Sequence, residues 1–221
     1  MAGFVNPNKP SGLTPVKYLN GAKWTGGGNM YAILSSDGNA YSQGDLVTLT
    51  GTGDGSGIPG ITLATAGAAA VGVILAVGRG AGPTGLAGIG AGGGGPYIDP
   101  NNLSLVQAPA AKTSNYYALV CDDPNVIFEI QEGGSGTNLT QTAIGSNANI
   151  VYAAPATGVA VSGTQLDNGS LATTSTLNLK IWSLAQRADN HFSTSPATGG
   201  AGQKWWVLIN NHLFRAGITG V

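Results

Sequence analysis

The chain has 221 residues, of which 37 are glycine, 9% are charged and 42% are hydrophobic, with a net charge of −1. That charge and the scattered Lys and Arg exclude the clustered basic surface that nucleic acid requires, and a lone cysteine, Cys121, excludes an internal disulfide. Disordered chains are poor in apolar residues and usually rich in charge, so this chain is expected to fold, through loops and turns rather than salt-laced helices.

Residues 1–16 carry Pro7, Pro10 and Pro15 and no periodicity. Proline lacks an N–H and holds its predecessor extended, so this reads as an extended arm rather than a sheet strand. Phe4 and Val5 give it something to bury, either as a frayed end or against a neighbouring subunit. The arm is taken as 1–25, ahead of a single β domain over 26–221, with a subdivision near 133–145 left open. Met1–Gly12 has neither a charged nor an apolar leader segment, so no signal peptide is expected.

From Asn29 the pattern is β. Met30–Leu34 precedes Ser-Asp-Gly-Asn, then Ala40-Tyr41; Gly44-Asp45 turns into Leu46–Thr50, and Gly51–Pro59 is turn chemistry throughout. Val71–Val77 is a short apolar run that ends in Gly78–Gly95, a loop with ten glycines and one charge. The apolar stretch Ala66–Gly78 is about thirteen residues, too short to span a bilayer, so no membrane partner is expected. Tyr116–Cys121 and Val126–Gln131 flank Asp122-Asp123-Pro124-Asn125, which reads as a hairpin turn. In the second run Val126, Phe128 and Ile130 share one face, a period of two.

The last third is the most regular. Leu177, Leu179 and Ile181 oppose Asn178, Lys180 and Trp182; Trp205, Val207 and Ile209 oppose Trp206, Leu208, Asn210 and His212. Adjacent tryptophans on opposite faces put one ring in the core and the other over a second surface, a loop or another chain. The candidate interface residues are Phe4, Val5, Trp24, Trp182 and Trp206. No segment longer than about ten residues keeps a 3.6 period, so the expected fold is all-β: a compact β-barrel or β-sandwich with long Gly-rich loops.

Chemistry has little to stand on. His191 and His212 have no metal-ligand spacing, and the GxGxxG matches at 80–85 and 90–95 lie in sequence that is half glycine. Four acids, Asp122, Asp123, Glu129 and Glu132, fall within eleven positions, but the turn reading of Asp122-Asp123 accounts for two of them. We expect no catalytic residues, no metal and no cofactor, hence no enzyme. With so few charges, the acidic cluster is expected to pair with one of Lys180, Arg187, Lys204 or Arg215, with Arg187 as the structural ion-pair candidate, buried or half-buried.

The blocks Pro15–Trp24, Gly44–Leu49, Val71–Leu75, Asp122–Gln131, Gln186–Asn190 and Trp206–His212 together resemble head decoration (capsid cement) proteins of tailed bacteriophages, over about residues 13–213. The resemblance implies an all-β subunit, usually a homotrimer, made in the bacterial host cytoplasm. It would bind the capsid exterior of the virion and bridge neighbouring copies of the major capsid protein. The alternative is a tail-fibre or baseplate part, or an adhesin-like glycan-binding β module; it would show repeats along the chain, and none is found.

Overall fold

The computed structural model describes residues 6–79, 107–154, 161–192 and 202–215. The fold is all-β: among these residues there are fourteen strands, one 3₁₀ turn (Gln141–Ala143) and no α-helix. In chain order they are β1 (Thr14–Tyr18), β2 (Asn29–Ile33), β3 (Tyr41–Ser42), β4 (Leu46–Gly53), β5 (Pro59–Leu63), β6 (Gly72–Arg79) and β7 (Gln107–Ala108). There follow β8 (Tyr116–Cys121), β9 (Val126–Gly133), β10 (Asn147–Ala148), β11 (Ile150–Val151), β12 (Gln165–Asp167), β13 (Leu179–Leu184) and β14 (Lys204–Ile209).

Two barrel-like lobes result. In the first, β2-β5-β4-β6-β8 close on themselves. Its interior is packed with Tyr31, Ile33, Tyr41, Val47, Ile61, Val71, Ile74, Val77, Ala118 and Val120, all buried. Register shifts in β4 (Leu49/Gly53) and β6 (Ile74/Ala76) supply the bends that closure requires.

The second lobe runs β10-β13-β14-β9-β12-β11. Its two end strands are separated in sequence by Asn149 alone, so the path returns to its own start. Phe128, Ile130, Leu166, Leu179, Ile181, Trp205, Val207 and Ile209 fill the inside, on the faces their alternation assigns. Val73 and Cys121, on β6 and β8 of the first lobe, belong to this second core as well. That sharing explains why Val71–Val77 reads as a continuous apolar run: Val71, Ile74 and Val77 face one core and Val73 and Leu75 the other.

Three features depart from expectation. The turn at 122–125 is tight, with Val126 N–H donating to Asp123 O at 3.2 Å and Asn125 N–H to Asp123 Oδ1 at 2.8 Å. It is not a hairpin, because β8 pairs with β2 and β6, whereas β9 pairs with β1, β12 and β14. The chain changes lobes there, and 133–145 falls inside the second lobe. Second, Asp122 does not serve its own turn; it accepts from Asn29 Nδ2 at 2.9 Å and Tyr31 OH at 2.7 Å across the first lobe. Third, the proline-rich segment is extended, yet its end is β1, antiparallel to β9. Pro15 is tolerated because the register shifts between Pro15 and Lys17, where no ladder donor is needed.

The rest of the segment lies on its own chain. Asn6 and His191 exchange two hydrogen bonds at 2.8 and 2.9 Å, Gln131 holds Lys9 N–H and Asn8 at 2.8 Å each, and Leu13 is buried. Phe4, Val5 and the glycine loop from Gly80 onward lie outside the described residues.

Candidate functional site

The outside of the second lobe carries the site. On β9, β13 and β14 the residues that do not enter the core point outward, which places Glu129, Trp182, Lys204 and Trp206 on one surface. β1 adds Lys17, in register with Ile127. Trp182 and Trp206 stack with centroids 5.9 Å apart and ring planes 21° apart. The Lys17 ammonium sits 4.5 Å from the Trp182 centroid and 4.4 Å from that of Trp206, an attraction between a cation and the negative ring face. Trp182 remains 39% exposed. The sequence identifies both tryptophans; it gives no sign of Lys17, whose place depends on β1 being a strand.

Trp24 is not part of this surface. It is half-buried against the second core.

Arg187 meets the acidic cluster at one point, its Nη1 lying 2.7 Å from Glu129 Oε1. The two-point grip expected on the cluster goes instead to Asp189, with Nε and Nη2 at 3.0 and 3.1 Å. Arg187 is 43% exposed at its side chain and Glu129 15%, so the guanidinium is solvated and the carboxylate half-buried. The difference from a buried pair follows from Asp189, two residues on in the same loop, which holds the guanidinium at the surface. Lys204 Nζ, 3.9 Å from Glu129 Oε1, is a second cation there.

Of the remaining reactive side chains, Cys121 and His212 are interior and His191 is exposed. Burial pushes the Cys121 thiol up to about 11. Burial, then Arg215, lowers the His212 imidazole to about 4; its Nδ1 accepts from Phe214 N–H at 3.0 Å. His191 Nε2 lies 2.9 Å from Ala188 O, a structural bond. Asp45, read from sequence only as a turn residue, is wholly buried and accepts from Ser42 N–H at 2.7 Å. Among the described residues no group of three or more His, Cys, Asp or Glu is placed to hold a metal ion, and no helix is long and apolar enough to cross a membrane.

Fold and site together define an all-β protein of two barrel-like lobes with an aromatic, cation-capped outer face. No family model, curated protein or solved structure matches the chain.

Proposed function

We propose that this chain is a structural virion protein, a decoration or cement subunit. It binds the outside of a phage head as a homo-oligomer and bridges neighbouring major capsid proteins. The resemblance of its spaced sequence blocks supports this reading. The observation that carries it is exposed apolar surface contributed by the 144–171 stretch of the second lobe. Four of the eight exposed large apolar side chains among the described residues, Ile144, Val151, Tyr152 and Leu171, fall in it, each 36–45% exposed.

The backbone of this stretch is tied into the sheet. Asn147 and Ala172 exchange two backbone bonds of 2.8 and 2.9 Å, and Val151 pairs with Gln165. An apolar surface fixed in place before contact loses little conformational entropy when a partner covers it. Neutral contacts of this kind also survive changes of salt that screen ion pairs. Each copy need add only a modest contact, because bridging holds loosened capsomers at high effective concentration.

Particles assembled without the protein are expected to release DNA at lower temperature, with purified protein restoring them. Ile144→Asp with Leu171→Asp should fold normally and fail to restore. High-resolution images of the virion that place this chain only in the tail, or nowhere, overturn the reading.

A further inference from the structure

We infer that the outer tryptophan face binds an anionic polysaccharide, one whose sugar rings carry carboxylates. The inference does not rest on capsid attachment and is tested without it. Trp182 lies on β13, which pairs with β10, and Trp206 on β14, the next strand.

The first argument is shape. Trp182 stacks on the half-buried Trp206, ring planes 21° apart, and keeps 39% of its own surface open. A sugar ring can lay its C–H face on such a platform and leave its hydroxyls in water. An extended peptide has no strand edge to join at Trp206, since β14 is paired with β13 on one side and β9 on the other.

The second argument is charge. Both carboxylates on this face are already taken: Glu129 by Arg187 at 2.7 Å and Lys204 at 3.9 Å, and Asp189 by Arg187 at 3.0 Å. Lys17 has no carboxylate within ion-pair distance among the described residues; its contact is with the two rings, at 4.5 and 4.4 Å. A cation held only over aromatic rings is bound more weakly than one paired with a carboxylate by hydrogen bonds. The ammonium can therefore turn from the rings to a carboxylate carried in by a sugar stacked on Trp182. A surface with an open aromatic platform and an uncommitted cation beside it selects an acidic sugar over a neutral one.

The test uses the purified full chain with no capsid present, so its outcome is separate from that of the cement reading. Oligogalacturonate and a maltooligosaccharide of matched length are titrated by calorimetry, alongside tryptophan fluorescence. The acidic oligomer should bind and the neutral one at least tenfold more weakly. Trp182→Ala should lose at least tenfold in affinity, and Trp182→Phe should keep most of it. Lys17→Gln should reduce acidic binding to the neutral level and abolish its salt dependence. Melting temperatures of the variants check that they fold. Equal binding of the two sugars, no binding of either, or undiminished binding by folded Trp182→Ala overturns the proposal. So does sedimentation in which Trp182→Ala disrupts self-association while no sugar binds, since the face would then join copies of the chain.

Discussion

Glu132 Oε2 accepts the indole N–H of Trp205 at 2.7 Å, and both side chains are wholly buried. The neighbouring indole, that of Trp206, has its N–H buried with no hydrogen-bond partner among the described residues. Two adjacent tryptophans therefore differ in what their nitrogens do. Trp205→Phe leaves a buried carboxylate oxygen without its donor and is expected to cost about 1–3 kcal/mol or more. Trp206→Phe removes a donor that satisfies nothing and keeps a ring for Trp182 and Lys17, so its cost should stay within about 1 kcal/mol. Urea midpoints of the two variants decide the matter; equal losses would show that the Glu132 bond contributes nothing.

Arg187 should matter less than its three polar contacts suggest. Its side chain is 43% exposed, and exposed ion pairs typically contribute about 0.2–1 kcal/mol. We predict that Arg187→Ala costs no more than about 1 kcal/mol and that the loss shrinks with added salt. Lys204→Met made on top of it removes the second cation from half-buried Glu129, so the double variant should lose more than the two single losses combined. A double-mutant cycle that closes additively would show that the two cations do not share Glu129.

Much of the second lobe was legible because alternation survives wherever one face of a strand meets the core. Val126, Phe128 and Ile130, like Trp205, Val207 and Ile209, reach the interior as their period of two requires. The outward setting of Trp182 and Trp206 follows from the same pattern. The ends of the second lobe's sheet were not legible, because Asn147–Ala148 and Ile150–Val151 are two-residue strands too short to carry any period. The parting of β8 and β9 was hidden because Asp-Asp-Pro-Asn makes the same tight turn whether the strands pair afterwards or separate. Pro15 masked β1, since an edge strand at a register shift tolerates what a central strand does not. Lys17 gains its role from Trp182 and Trp206, and Asp45 adds Ser162 and Thr164 to its neighbour Ser42; all of these partners but Ser42 lie more than a hundred residues away.

Asn178 ties the lobes together. Fully buried, it donates to Thr65 O and Ala68 O at 3.0 and 2.8 Å, and its Oδ1 accepts from Gly67 and Ile150 N–H at 3.2 and 3.3 Å. One side chain thus links the 65–68 turn of the first lobe to β11 of the second. Asn178→Ala strips the buried Ile150 N–H and Ala68 O of the partner Asn178 supplies, while Gly67 N–H keeps Asn149 Oδ1 at 2.8 Å and Thr65 O keeps Ala68 N–H at 3.1 Å, so it should cost about 1–3 kcal/mol. It should also loosen the coupling of the lobes, seen as early hydrogen exchange at Ile150. Unchanged protection of that amide would refute the coupling.

Asp45 makes the chain's stability depend on pH in the direction opposite to most carboxylates. Burial pushes its carboxyl up to about 6 from the ordinary 3.8, against hydrogen bonds from Ser162, Ser42 and Thr164 that favour the charged form. The site is tight. Gly44, at φ +92, bonds Leu13 N–H through its carbonyl at 2.9 Å, and Ser162 N–H donates to Gln43 O at 2.8 Å, which ties the backbone on both sides of the carboxylate. The folded chain binds this proton more tightly than the unfolded chain does. Stability should therefore fall as pH rises between 3.8 and 6, with the full penalty present above that window. Its size is on the order of 3 kcal/mol. Asp189, whose carboxyl is held low first by the Arg187 hydrogen bond, acts the other way and loses its contribution as pH falls. The two effects separate in Asp45→Asn, which keeps an acceptor for Ser42 N–H while turning its amide toward the Ser162 and Thr164 hydroxyls, groups able to accept. The variant should match the wild type below the window and exceed it above, the gap opening across the window itself. Urea midpoints taken on either side measure that gap; one that stays constant with pH would show that Asp45 is not the group responsible.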